Sequence, residues 1–226
     1  MKKQPSPPVT AYTFRDSFEL GSRTSFSIFD DPIHIAFVLS RYKFCSRMLT
    51  GKRSVLEIGC GDAIGTPIVA QFVTRVHAVD VEDRLILSNR QRLRKIKNIT
   101  FETLDYCQKM PRGRFEAIFS IDVLEHIPHR QEHIFMAHTV MNLETNGVCI
   151  IGTPNINANR YASVSSRGHH TNLKSHESLR LLLQMYFANV FMFSMNDEVV
   201  HTGYGNMAHY LFGMGVGVKE KGSSHA

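Results

Sequence analysis

Five short apolar runs of strand length recur along the chain, at residues 54–58, 76–80, 99–103, 117–121 and 148–152. Between most of them lie segments with apolar residues at helical spacing, so that strand and helix alternate as a series of βα units requires. A further helix is predicted over 176–186 and a strand over 189–195, and the closing stretch "MAHYLFGMGVGV" reads as a last strand. The expected fold is α/β, a doubly wound and mostly parallel sheet of seven strands with helices on both faces.

The flanks are less regular. The first ten residues form a proline-containing tail, and 14–29 is aromatic without clean periodicity. From Asp31 the signals sharpen: Asp at a cap position, Pro just inside, apolar residues at helical spacing through Leu49, and Gly51 as a stop. Residues 1–30 are therefore taken as a tail and candidate lid, and 31–226 as one globular domain. After Pro154 the segment "NINANRYASVSSRGHHTNLKS" is polar and too long for a plain connection, and such loops carry function more often than tight turns do.

Composition narrows the setting. The 226 residues, 43% of them hydrophobic, suit one domain with a substantial core. No apolar run approaches the roughly 20 residues that span a bilayer, and the lysines of "MKKQPSPPVT" are followed by no signal-peptide core. The four cysteines, Cys45, Cys60, Cys107 and Cys149, are scattered and form no CxxC pair, which argues against a disulfide framework or a thiolate zinc site. A reducing, cytoplasmic location is expected. Net charge is +6, with its densest basic stretch, "NRQRLRKIKN" at 89–98, read as a helix with Leu93 and Ile96 as apolar contacts. No aromatic residues interleave there to stack bases, so a solvated face is favoured over nucleic-acid binding.

The chemistry concentrates in "VLEIGCGDAIG", residues 55–65, where the first strand ends in a glycine-rich turn. In a doubly wound sheet that turn is where adenosine cofactors bind. A dinucleotide fingerprint needs its third glycine at position 64, but Ile64 stands there and Gly65 comes one residue late. Glu57 precedes Gly59 and Gly61, and Asp80 ends the next strand, where a carboxylate can hold ribose hydroxyls. With no pyrophosphate to neutralise, acidic residues favour a cationic nucleoside such as a sulfonium.

Together, "VLEIGCGDAIG", "VHAVDVED", "TLDY", "FEAIFSIDVLEHIP" and "GVCIIGTPN" resemble the ordered motifs of class I S-adenosylmethionine-dependent methyltransferases, over roughly residues 54–155. The resemblance implies a Rossmann-like fold and S-adenosyl-L-methionine as cofactor. It implies that Glu57, Gly59, Cys60 and Gly61 surround the amino-acid part of the cofactor, that Asp80 with Val81 holds the ribose, and that Leu104 with Asp105 frames the adenine. Asp122 and its neighbours would line the methyl-transfer side. Ala63 replaces the last glycine of the family's ExGxGxG pattern. Read without the resemblance, Cys60 is a small turn residue and Asp105 a turn cap.

The acceptor side would be built after the fourth and fifth strands and from the late loops. These hold His126, His169, His170, and "NDEVVHTGYGNMAHY" with Asn196, Asp197, Glu198, His201, Tyr204 and His209. So many polar and imidazole groups point to a polar acceptor, and the whole-chain pattern is similar to bacterial methyltransferases of glycan and surface-polysaccharide biosynthesis. O-methylation of a carbohydrate or similar small molecule is the expected reaction. The alternatives are N-methylation, RNA methylation, or a non-catalytic cofactor-binding subunit. His126, His170 and His201 are the candidate bases, since a neutral imidazole accepts a proton near neutral pH. His126 with Glu125 reads equally as a helix start, and one of His169, His170 and His176 as an ordinary cap or surface residue. No metal ligand is assigned, although Asp197, Glu198 and His201 with a loop histidine could hold a divalent cation. The sequence assigns no oligomeric state.

Overall fold

The computed structural model describes residues 17–162 and 164–219; the tail over residues 1–10 falls outside these. Eight strands make one sheet in the order β3-β2-β1-β4-β5-β8-β6-β7. They are β1 Ser54–Ile58, β2 Arg75–Asp80, β3 Ile99–Thr103, β4 Phe115–Ile121, β5 Leu143–Pro154, β6 Phe187–Asn196, β7 Val199–His201 and β8 Tyr210–Val218. The first five pair in parallel, and β8, β6 and β7 add antiparallel to that block. The seven expected strands are all present. The eighth, β7, is a three-residue return from β6 through a turn at Asp197 (φ 50), too short to show a period of two.

The parallel strands are buried on both faces, which is why they read as continuous apolar runs. All five residues of β1 are buried, and their side chains alternate between two cores. Leu56 and Ile58 pack with Phe135, Leu179 and Leu183 on one face. Val55 packs with Tyr42, Cys45, Leu49 and Val69 on the other. Helices α5 (Glu132–Asn142) and α7 (His176–Gln184) cover the first face; α2 (Pro32–Met48), α3 (Thr66–Ala70) and α4 (Asp83–Arg92) cover the second.

The helix boundaries follow local chemistry. The Asp31 carboxylate accepts from the His34 N–H at 3.3 Å and Pro32 opens α2, as the sequence signals require. Ser175 and Ser178 form a reciprocal cap on α7. The basic stretch 89–98 straddles a helix end rather than forming one helix: α4 stops at Arg92, although Leu93 is buried and Ile96 packs on the core as expected. Within the aromatic segment that lacked periodicity, Ser22–Asp30 forms α1.

The polar segment after β5 is not an open loop. It contains a 3₁₀ stretch Ile156–Tyr161 and helix α6 Val164–His169. It is fastened at its base by Asn155, whose amide donates to the Gly205 and Ala208 carbonyls at 2.8 Å each, and by a buried Lys174–Glu132 ion pair. The order of the parallel strands reverses at β1, so the crevice for a ligand opens beyond the C-terminal ends of β1 and β4.

Candidate active site

Two adjoining cavities, of about 310 and 260 Å³, occupy that crevice and share Arg23, Gly59 and Asp122 in their walls. The glycine-rich turn after β1 forms their common floor. Gly59 has φ +77, and a Cβ there would lie 2.2 Å from Val123 Cγ2, so the turn after β4 can approach only because the side chain is absent. Gly65, which comes too late for a dinucleotide fingerprint, answers to packing instead: a Cβ would fall 2.0 Å from the Tyr42 ring. Ala63, in the place of the family's last glycine, keeps a left-handed φ of 57.

The turn is braced from three sides. From β2, the Asp80 carboxylate accepts from the Gly61 N–H at 2.8 Å and the Glu82 N–H at 2.9 Å. From α4, the Asn89 amide donates to the Gly61 carbonyl at 2.8 Å, and Arg92 donates to the Asp62 carbonyl at 2.6 Å. Arg92 thus leaves the solvated face that the sequence suggested for it. From α1, the Thr24 N–H and hydroxyl both donate to the Asp62 carboxylate, at 2.7 and 3.0 Å, which docks α1 over the crevice. Arg23, next in the chain, lines both cavities and forms no side-chain hydrogen bond or ion pair among the described residues.

The larger cavity is lined by Asp80, Val81, Leu104, Asp105 and His126 among others. The Asp105 carboxylate caps its own turn, accepting from the Cys107 N–H at 2.9 Å and the Gln108 amide at 2.6 Å, so the turn-cap reading holds alongside its position in the wall. Cys60 and Gly61 line the smaller cavity with His34, Ile35, Val38 and Tyr42. Burial pushes the Cys60 thiol up, far from thiolate chemistry.

Unlike Gly59, Cys60 and Gly61, Glu57 lines neither cavity. It lies behind the turn, 1% exposed, and its Oε1 accepts from the Tyr42 hydroxyl at 2.8 Å. Desolvation lifts its pKa to about 7. The Thr66 and Tyr42 hydroxyls pull the other way, but Thr66 makes no well-formed hydrogen bond, leaving Oε2 unpartnered.

Asp122 closes β4 with a left-handed φ of 58, uncommon for a residue with a side chain. Its Oδ2 accepts from Arg41 Nη1 at 2.6 Å. Burial works against the Arg41 charge, yet Asp122, together with Tyr210 and Glu125, more than offsets it and the pKa rises; the guanidinium also lies 3.9 Å above the Tyr210 ring. A partly buried ion pair of this kind fixes geometry more than it adds stability. Glu125, one 3₁₀ turn further on, is 1% exposed, accepts from the Thr153 hydroxyl at 3.1 Å, and is raised to about 8 by desolvation and by Asp122.

The candidate bases separate. His126 and His170 come together, their rings 5.1 Å apart at 68°, and His126 Nδ1 meets the His169 carbonyl at 3.2 Å. Burial and the His126 charge lower the His170 pKa. His201 is elsewhere, on the edge strand β7 and lining neither cavity. Its Nδ1 accepts from the Gly203 N–H at 2.9 Å and its Nε2 faces Asn196 Oδ1 at 3.1 Å, so both nitrogens are spent on the hairpin. Asp197 and Glu198 are exposed on that hairpin, and Tyr204 is exposed beyond it. Among the described residues, the group with metal-ligand proximity is Glu125, His126 and His170 rather than the Asp197–His201 set.

Sequence reading missed Arg23, Arg41, Tyr42 and His34. His34 lines the smaller cavity, and burial together with the Arg41 charge lowers its pKa. The Asp31 cap places it one turn into α2, but nothing local marks it as facing a cavity.

Similarity to known proteins agrees with this geometry. Probable S-adenosylmethionine-dependent methyltransferases of Mycobacterium tuberculosis are 25% identical over 103 residues, 46% of this chain and 36% of theirs. The matched segment thus spans little more than a third of those relatives. The N-methyltransferase NodS from Bradyrhizobium japonicum WM9, in complex with S-adenosyl-L-homocysteine, superposes with a TM-score of 0.63 at 19% identity, covering 88% of this chain and 94% of that one. The methyltransferase domain of bacterial CtHen1-C superposes with a TM-score of 0.65 at 16% identity, over 80% and 99%. At such identities these structures share the fold. No helix among the described residues is long and apolar enough to cross a membrane. The methyltransferase-domain family model matches residues 34–188, more than half of the chain, and the chain accordingly belongs to that family, as a class I S-adenosylmethionine-dependent member.

Proposed function

We propose that this protein transfers the methyl group of S-adenosylmethionine to an amine nitrogen of a small polar molecule or oligosaccharide. The observation that carries the reading is Asp122, strained at φ 58, held by Arg41, and shared by both cavities. It stands at the junction of the two cavities, where the cofactor's methyl group and the acceptor meet. In this reading Asp80 and Val81 hold the ribose, Leu104 and Asp105 frame the adenine, and Gly59, Cys60 and Gly61 pass beside the methionine part. Arg23, without a side-chain partner among the described residues, receives the cofactor carboxylate. Glu57 acts from behind, through Tyr42. Helix α1 is the lid, and residues 31–226 form the catalytic domain.

Bound cofactor supplies an electrophilic methyl carbon on sulfur; the chain's residues align the acceptor and take up its proton. An amine acceptor is an ammonium ion near neutral pH and must shed a proton before its lone pair can attack. His34, facing the smaller cavity, is the imidazole positioned to take it up. Positioning does the rest, since in-line approach to a sulfonium needs little further catalysis. The likeness to NodS, an N-methyltransferase, supports nitrogen over the oxygen suggested by sequence pattern. A hydroxyl acceptor is the second reading, favoured by the Glu125, His126 and His170 cluster beside Asp122.

The test is release of S-adenosylhomocysteine across a panel of amino sugars, neutral sugars, carboxylates and RNA. Turnover on amino sugars, with loss of cofactor affinity of about tenfold or more in Asp80→Ala, is expected. Turnover confined to RNA or to neutral sugars overturns the acceptor assignment. Unchanged cofactor affinity in Asp80→Ala overturns the ribose assignment.

A further inference from the structure

We infer that Glu125, His126 and His170 form a binding site for one divalent first-row cation beside the methyl-transfer position. Two imidazoles and a carboxylate, drawn from the turn after β4 and from the segment after α6, place one ligand atom each within 4.8 Å of the others. Ligand bonds of about 2.0–2.2 Å at tetrahedral angles put two donors on a shared ion about 3.4 Å apart. Side-chain rotations that move the donors by about an ångström would therefore close the site.

The surroundings are those of a ligand set rather than of three incidental neighbours. His126 Nδ1 lies 3.2 Å from the His169 carbonyl, a contact that requires Nδ1 to carry the hydrogen. Nε2 is then the free lone pair, and a backbone carbonyl fixes the tautomer and ring direction, as ligating histidines require. His170 Nδ1 is buried with no hydrogen-bond partner, an orphaned acceptor or donor that a cation would satisfy. The Glu125 carboxylate is oriented by the Thr153 hydroxyl at 3.1 Å, leaving its second oxygen for a ligand.

The backbone locks the two halves together. The Glu125 carbonyl accepts from the Thr171 N–H at 2.8 Å and the Asn172 N–H at 3.0 Å, which holds the residue after His170 against the residue before His126. Asn172 in turn donates to Glu132 at 2.8 Å. A polar segment that long, pinned at this point, serves to deliver His170 to the other two groups. With three protein donors, the remaining coordination positions face the crevice, because His126 lines the larger cavity.

Open positions on a cation suit vicinal hydroxyl oxygens, so the site would orient a hydroxyl-bearing acceptor and, for a hydroxyl acceptor, lower its pKa. This use of the cation rests on the reading of the acceptor as a saccharide-like molecule. The presence of the site does not, and it is tested on the protein alone.

Mn²⁺ is titrated into the metal-stripped full chain and free Mn²⁺ is read by electron paramagnetic resonance, with Zn²⁺ as competitor. One site per chain is expected, displaced by Zn²⁺, and weakened at least tenfold in His126→Ala and in His170→Ala. His129→Ala, an exposed histidine outside the cluster, retains wild-type affinity. Circular dichroism and cofactor calorimetry on the same variants separate loss of the site from loss of fold. No stoichiometric binding of either ion, or equal affinity in the two cluster variants and wild type, overturns the inference. Binding with turnover confined to the carboxylates of the panel leaves the site standing and overturns the saccharide reading instead.

Discussion

Replacing Glu57 by Gln should make the protein more stable as pH rises, by an amount the burial of this one carboxyl sets. Its pKa is lifted by desolvation from an ordinary 4.5 to about 7 in the folded state. Between those values the folded chain retains a proton that the unfolded chain has released. The unfolded state thus binds fewer protons, and stability falls as pH rises through the window. At 1.36 kcal/mol per unit, the loss reaches about 3 kcal/mol once pH exceeds 7. Gln is neutral throughout and keeps an oxygen for the Tyr42 hydroxyl, and its amide can donate to the unpartnered Thr66 Oγ1. Cofactor-free urea unfolding at about pH 5 and about pH 8 isolates the group as the difference between variant and wild type. With a slope near 2 kcal/mol/M, the midpoint gap should widen by about 1.2 M toward the alkaline end, since about 0.8 kcal/mol of the loss is already present at pH 5. A gap that stays flat with pH would refute the buried-carboxyl account.

Two further outcomes follow from the same geometry. Thr24→Val removes the hydroxyl that anchors α1 to Asp62 while the backbone N–H contact remains, so cofactor dissociation, measured by stopped-flow fluorescence, should quicken several-fold with little change in melting temperature; an unaltered off-rate removes α1 from the role of lid. His201→Ala should leave turnover on the identified acceptor within about twofold of wild type, because that ring only braces a hairpin; a loss of 10²-fold or more, the scale of a missing base, would restore it to the catalytic candidates.

Sequence alone determined what depends on local period and local turn chemistry. The buried strands announced themselves as apolar runs, Asp31–Pro32 as a helix start, and the turn at Gly59 to Gly65 as the mouth of a nucleoside site. The place of Asp80 at the end of β2 was legible because it follows from the strand that carries it. Tertiary structure decided everything that depends on residues far apart meeting. Tyr42 explains Gly65 and turns Glu57 inward. Arg41 fixes Asp122 from 81 positions away, and Arg23 and His34 reach the crevice only because α1 and α2 lie across it. Among the histidines, the sequence offered several equivalent candidates. Hydrogen bonding by the Glu125 carbonyl to 171 and 172 draws His170 to His126, while strand pairing of β7 with β6 carries His201 to the sheet edge. An imidazole's residue type is written in the chain, but its neighbours are set by the path of the backbone, and those neighbours decide what the ring can do.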